Sequence, residues 1–198
     1  MDAVTGYFMA LGLSTAAGLN AYVPLLAVGL LSRFTDLIAL PGPWDHLGDP
    51  LVLAAIGVVG LADFVGDKVP VVDHVLHLIG LAVAPIVGGI LAMAAAKVVD
   101  VDPGLMVALG VVVALATHAG RTAARPVSTV TTAGAGNPFL SLGEDGVSGA
   151  LSVTAVVWPA IAASLASLVL IAVFVVWRRW RVVGLKLQGR DPAGDRAG

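Results

Sequence analysis

Five stretches of this chain carry very few charged side chains and approach or exceed the length of a membrane-spanning helix. Such a helix needs about 20 predominantly apolar residues to cross a hydrocarbon core about 30 Å thick. We name the stretches segments A to E, and they cover residues 3–31, 51–66, 74–96, 103–117 and 146–180. The sequence therefore predicts an all-α fold, a polytopic bundle of transmembrane helices.

The overall composition supports the same fold class. Of the 198 residues, 58% are hydrophobic and 12% are charged, whereas an ordinary soluble domain carries about 25% charged residues. So few polar side chains could not cover the surface of a soluble protein. We expect a single membrane domain over residues 1–183. The remaining residues, 184–198, are rich in glycine and charge, which predicts a disordered cytoplasmic tail.

The charge balance and the absence of cysteine exclude several classes of function. A formal net charge of −2 provides no extended basic surface, so no nucleic-acid partner is expected. A chain with no cysteine has no thiol nucleophile and no thiolate metal ligand. The signatures of P-loop nucleotide binding, of GxSxG hydrolases and of HExxH proteases do not occur. An enzyme is therefore the less favoured class, and no organic cofactor is predicted.

Lysine and arginine collect at the end of segment E. Cytoplasmic ends of membrane helices carry an excess of these residues. The cluster consists of Arg178, Arg179, Arg181, Lys186 and Arg190. It predicts a cytoplasmic C-terminus. The side on which the N-terminus lies stays open, because segment A can cross once or form a hairpin.

Segment A is too long for one plain span, and its centre is polar. The polar or small residues between its two apolar runs are Ser14, Thr15, Gly18 and Asn20. Pro24 has no N–H to donate to the carbonyl of Asn20, four residues before it. Inside a bilayer such groups must find partners or water. Segment A is therefore predicted to be broken or re-entrant near Asn20.

The same pattern recurs 102 residues later, in segment D. The motif L-x-T-x-A-G-x-x-A-x-x-P fits residues 13–24 and 115–126, and six of the twelve positions are identical. Segment D, the fourth, is accordingly expected to be broken or re-entrant as well. The pattern is compatible with an internal duplication into half-repeats 1–98 and 103–183. Interrupted segments at corresponding places in two halves indicate the binding site of a transporter.

Ionisable residues collect at the ends of segments B, C and D that share one predicted side of the membrane. Such residues are costly in a bilayer and commonly functional. With Asn20, the candidate substrate-binding or ion-binding residues are Asp63, Asp67, Lys68, Asp73, His118, Arg121 and Arg125. His118, Arg121 and Arg125 lie on one helical face.

Three interpretations of these charges stay open, and in the simplest of them the charges lie hydrated in outer loops. The three acids and three bases can neutralise one another: Asp63, Asp67 and Asp73 against Lys68, Arg121 and Arg125. Such a network would lock segments B, C and D together without any ligand. Alternatively, the acids bind a cation or relay protons, or the two arginines hold a phosphate or carboxylate.

Two histidines give a further hypothesis. His74 and His77 are three positions apart, and Asp73 precedes them. Imidazole and carboxylate groups are common metal ligands. A metal ion is therefore a candidate cofactor, and an intramembrane metal-dependent hydrolase is the third function class considered.

Three motifs carry a resemblance to a known family. They are GLSTAAGLNAYVPLL, ADFVGDKVPVVDHV and NPFLSLGEDG, in that order. The chain resembles the bacterial membrane family known as domain of unknown function 4126, over roughly residues 5–180. The resemblance implies a polytopic bacterial membrane protein and supplies no established activity.

The pattern as a whole favours a transporter or channel for a small solute or ion, with its polar site between broken helices near Asn20 and Arg121. The expected partners are the lipid bilayer and that solute or ion, and a homo-oligomer is compatible with the sequence. The expected location is the bacterial cytoplasmic (inner) membrane. The alternative is a non-transporting scaffold or accessory subunit whose charge network is purely structural.

Overall fold

The computed structural model describes residues 2–40, 42–66, 70–99, 101–132 and 136–187; the side chains of residues 70–74, 77, 99, 124, 126–131 and 179–187 lie outside that description. Within these ranges the chain forms α-helices, one short 3-10 helix (Trp44–Gly48) and no strand. The α-helices are α1 (Ala3–Leu19), α2 (Tyr22–Phe34), α3 (Pro50–Gly66), α4 (Pro70–Val99), α5 (Pro103–Thr132), α6 (Asn137–Val157) and α7 (Pro159–Leu187). The predicted all-α class is confirmed.

Helix α1 lies at the centre of the bundle. Every residue from 12 to 20 is buried, and the helix packs against α4, α5, α6 and α7. Small residues allow this close packing: Gly12 lies against Ala155 of α6, and Gly18 lies against Thr117 of α5. In lipid, helix association depends on such close van der Waals contact, because lipid tails are as apolar as leucine.

The surface of the bundle is apolar while its interior holds polar side chains. Leu51 and Leu61 of α3 are 85% and 63% exposed, and Leu168 of α7 is 62% exposed. The buried polar or charged residues are Ser14, Thr15, Asn20, Thr117, His118, Arg121, Arg125, Ser141, Ser148 and Ser152. This distribution suits a protein surrounded by hydrocarbon.

Three stretches of helix in the described ranges are long and apolar enough to cross a bilayer. They are Leu78–Val98, Pro103–Ala123 and Pro159–Arg178. The last of these has a mean hydropathy of 2.6, and only 17% of it is buried within the bundle. The chain thus has the helices and the surface of a membrane protein.

Segments A and D, which share a motif, differ in structure. Segment A contains two helices, α1 and α2, separated at Asn20. Segment D is not broken, because α5 continues from Pro103 to Thr132, and that prediction is wrong. The side chain at the matching position accounts for the difference. Asn20 bonds to the backbone of α2, whereas Thr122 donates to the carbonyl of His118 in its own helix at 3.0 Å, which an unbroken helix tolerates.

Segment E is two helices rather than one. α6 ends at Val157 and α7 begins at Pro159, and Trp158 between them has φ −136° and ψ 72°. The residue before a proline avoids the α region, whereas proline itself suits the first helical position. α7 also includes residues 184–187, where the predicted tail begins. Residues 188–198 of that tail lie outside the described residues.

The α4–α5 contact depends on two glycines. A Cβ atom on Gly88 would lie 2.7 Å from the carbonyl oxygen of Gly110, and one on Gly110 would lie 2.6 Å from the Cβ of Ala92. Both distances are too short for real carbon contacts. The two backbones therefore meet where neither residue can carry a side chain.

Replacing Gly110 by alanine tests this packing. We expect Gly110→Ala to lower the free energy of unfolding by about 1–3 kcal/mol, because overpacking forces the two backbones apart. The matched control is Gly143→Ala in α6, where a Cβ would meet no atom within 4 Å. Thermal unfolding in detergent measures both. A Gly110→Ala protein as stable as the control would contradict the packing account.

Candidate functional site

Asn20 forms the junction between α1 and α2. Its backbone N–H donates to the carbonyl of Ala16 at 2.9 Å and closes α1. Its side-chain Oδ1 accepts from the N–H groups of Tyr22 and Val23 at 2.9 and 3.2 Å. An Asn oxygen that bonds to the first free amides of a helix is an N-cap. One buried residue therefore ends one helix and starts the next.

The Asn20 amide also connects this junction to α6. Its Nδ2 donates to Oδ1 of Asp145 at 2.8 Å. One turn along α6, the hydroxyl of Ser148 donates to the carbonyls of Ala16 and Asn20 at 2.9 and 3.4 Å. The backbone oxygens at the end of α1 thus find donors on a neighbouring helix.

Two arginines of α5 approach the same junction. Arg121 and Arg125 are only 8% and 5% exposed. Arg121 Nη1 donates to the carbonyl of Leu19, the last residue of α1. A cation at this position also complements the negative end of the helix dipole.

Glu144 of α6 is the counter-charge that both arginines share. Its Oε2 lies 2.7 Å from Nε of Arg121 and 3.1 Å from Nη2 of Arg125. The carboxylate side chain is 10% exposed. Within the described residues, α5 and α6 otherwise make only slight contact. This ion cluster is therefore the main connection between the two helices.

A small cavity lies beside the junction, between α1, α2, α3, α4 and α5. Its volume is about 30 Å³, room for one or two water molecules. The polar side chains on its wall are Tyr22, Asp63, His118 and Arg121, and the rest of the lining is Ala17, Ala21, Leu76, Ile79, Gly80, Val83 and Ala84. Four polar groups from three helices thus meet in an otherwise apolar space.

The imidazole of His118 reaches this cavity because α4 has a glycine opposite it. A Cβ on Gly80 would lie 2.8 Å from Nε2 of the ring. His118 itself is 3% exposed. The ring therefore occupies the space that a side chain at position 80 would need.

The structure brings together several of the residues predicted from the sequence. Asp63, His118 and Arg121 line the cavity, and Asn20 and Arg125 lie in the adjoining polar cluster. Asp67 and Lys68 lie outside the described residues, as do the side chains of Asp73, His74 and His77. No group of three or more His, Asp or Glu side chains suited to a metal ion occurs in the described part of the chain. The metal hypothesis at His74 and His77 stays a prediction.

Glu144 and Asp145 were not among the site residues predicted from the sequence. Segment E was predicted to begin at residue 146, and in one of the open interpretations Arg121 and Arg125 were neutralised by acids of segments B and C. Glu144 forms ion pairs with both arginines. The available signal was the motif NPFLSLGEDG, which places two adjacent acids directly before the apolar segment E.

The two copies of the repeated motif contact one another. Gly18 in the first copy packs against Thr117 in the second. Leu19 and Arg121, which form a hydrogen bond, occupy equivalent positions 102 residues apart. The duplication itself stays a prediction, and the contact shows that both copies contribute to one site.

The chain belongs to the family described as Domain of unknown function (DUF4126), whose profile matches residues 7–179. The predicted resemblance is therefore confirmed over most of the chain. No curated protein and no solved structure matches it.

Removing the shared carboxylate should destabilise the bundle. Glu144→Ala leaves two buried guanidinium groups without this counter-charge, and breaking a buried ion pair costs about 3–5 kcal/mol. Unfolding by SDS titration in detergent, followed by circular dichroism, measures the loss. The exposed Asp36 provides the control, as Asp36→Ala should leave stability unchanged. Equal stability of the two variants would show that the cluster contributes little to the fold.

The junction offers a second test of stability. Asn20→Ala removes the cap of α2 and should cost about 0.5–2 kcal/mol, the usual value for a lost N-cap. Asp145→Asn should cost less, because an amide oxygen still accepts from Asn20 Nδ2. The same SDS titration compares them. The reverse order would mean that the charge of Asp145, and not the cap, stabilises the junction.

Proposed function

We propose that this protein moves a small ion or solute across the membrane through the polar site beside Asn20. The observation that carries the proposal is the cavity lined by Tyr22, Asp63, His118 and Arg121 within an apolar bundle. Ionisable side chains inside membrane helices are expensive and commonly mark ion pathways. A bundle that needed only stability could fill this space with apolar side chains.

The helix junction supports a transport role. Interrupted helices expose backbone groups at their ends, and transporters use such ends to bind substrates and ions. Here α1 ends and α2 begins beside the cavity, since Tyr22 and Ala21 both line it. The junction gives the chain a place where one helix can tilt relative to the other.

The size of the cavity limits what the site holds in this conformation. Pockets for drug-sized ligands measure about 300–1,000 Å³, whereas this cavity measures about 30 Å³. The site therefore suits water, a small ion or a very small solute. A larger solute would require the helices to separate.

The proposed location is the bacterial cytoplasmic membrane, with several crossings and the C-terminus in the cytoplasm. The apolar stretch Pro159–Arg178 ends where the basic cluster begins. Basic residues at the end of a span favour the cytoplasmic side.

Flux measurements on purified protein test the proposal. Phosphatidylethanolamine–phosphatidylglycerol liposomes containing the protein are compared with empty liposomes for movement of H⁺, Na⁺, K⁺, Cl⁻ and glycerol. We expect at least one probe to cross faster with the protein present, and Asp63→Asn to abolish that difference without lowering the melting temperature. Asp36→Asn, the same change at an exposed site, should retain it. If no probe distinguishes the two kinds of liposome, the proposal is wrong.

A structural scaffold is the second candidate, and one observation favours it. Arg121 and Arg125 are both bound to Glu144, which joins two helices that otherwise make only slight contact within the described residues. A scaffold predicts that Asp63→Asn changes no flux. It also predicts a favourable coupling free energy between Arg125 and Glu144 in a double-mutant cycle of Arg125→Ala and Glu144→Ala.

A further inference from the structure

We infer that the species handled at the cavity is the proton, with Asp63 and His118 as the groups that carry it. This inference rests on the proposed function and names its substrate. It depends on the chemistry of the cavity wall and on the cavity volume. The two residues come from different helices, α3 and α5, and border the same space.

The volume favours water and protons over organic solutes. About 30 Å³ accommodates one or two water molecules. A water molecule held between a carboxylate and an imidazole can accept a proton from one and donate to the other. The transfer is balanced: a proton enters on the carboxylate of Asp63, passes through water to His118, and leaves from the imidazolium, which returns to its neutral form.

A metal cation fits the wall poorly. An ion such as Na⁺ or K⁺ must exchange its hydration shell for several oxygen ligands. Among the described side chains on the wall, Tyr22 and Asp63 supply oxygen, whereas His118 and Arg121 supply nitrogen. The guanidinium of Arg121 would also repel a second cation. A proton needs no such ligand shell.

An anion fits poorly as well. Arg121 already forms an ion pair with Glu144 at 2.7 Å and donates to the Leu19 carbonyl. Asp63 adds negative charge to the same wall. An anion would have to displace Glu144 and approach another carboxylate.

The polar side chains that would surround the proton come from three helices. α2 contributes the phenol of Tyr22, α3 contributes Asp63, and α5 contributes His118 and Arg121. The parts of α1 and α4 described on the wall are apolar.

Gly80 provides a way to disturb His118 without changing any ionisable group. A Cβ at this position would lie 2.8 Å from Nε2, so Gly80→Ala must displace the ring. Gly57→Ala in α3 is the matched control, because a Cβ there meets no atom within 4 Å. Both variants exchange a helical glycine for alanine.

The experiment imposes a K⁺ diffusion potential with valinomycin on liposomes that contain the pH dye pyranine. We expect wild-type protein, Asp63→Glu and Gly57→Ala to acidify the lumen faster than empty liposomes do. Asp63→Asn should fall to the leak of empty liposomes, since an amide carries no proton. Gly80→Ala should lose most of the flux. Size-exclusion chromatography of each variant establishes whether it is folded. Gly80→Ala still tests the inference if Asp63→Asn does not fold.

The outcomes separate this inference from the proposed function. Site-dependent movement of Na⁺, K⁺, Cl⁻ or glycerol with no proton flux would overturn the inference and leave transport standing. Proton flux that Asp63→Asn and Gly80→Ala both retain would overturn the inference too, because it bypasses the cavity. The absence of movement of every probe would overturn both.

Discussion

The central helix of this protein ends inside the bundle, and the rest of the polar structure follows from that fact. The last carbonyl groups of an α-helix have no partner within the helix. In an apolar interior each needs a donor, because an unsatisfied backbone group costs several kcal/mol there. The carbonyl of Leu19 accepts from Arg121, that of Asn20 accepts from Ser148, and the Asn20 side chain caps the next helix.

The guanidinium donor of Arg121 itself needs a partner. A buried guanidinium is stable only beside a counter-charge, since isolated ions are costly in a low dielectric. Glu144 supplies it to Arg121 and Arg125 together and so ties α5 to α6. Asp145, its neighbour in sequence, holds the amide of Asn20. A break in one helix is therefore stabilised by side chains from two others, and ionisable groups line the small cavity beside it.

Much of the fold class could be predicted from the sequence, because long apolar stretches have few structural solutions. The helix break at Asn20 could also be predicted, since polar and small residues interrupt an apolar run there and Pro24 follows. The break predicted in segment D was wrong because proline alone does not end a helix in this setting. Thr122 bonds back within α5, whereas the side chain of Asn20 bonds forward to the first amides of α2.

The members of the site were only partly predictable. Asp63, His118 and Arg121 stand near the ends of the apolar segments B and D, and counting charges at those ends found them. Glu144 and Asp145 come from a helix that begins after residue 136, and no periodic pattern assigns them to the arginines. The pairing is a tertiary contact between α5 and α6. The sequence alone shows the two acids but does not indicate which bases they contact.

The depth of the ion cluster tests the account most directly. The chain has no cysteine, so a single nitroxide label can be attached at Gly143→Cys, the exposed neighbour of Glu144, in protein reconstituted into liposomes. Power-saturation spectroscopy then compares collisions with oxygen, which concentrates in lipid, and with a water-soluble nickel chelate. The account predicts that oxygen dominates at position 143 and the chelate dominates at the exposed control Asp36→Cys. Equal access of the chelate to both positions would place the ion cluster at a depth outside the hydrocarbon and contradict a polar site within the membrane.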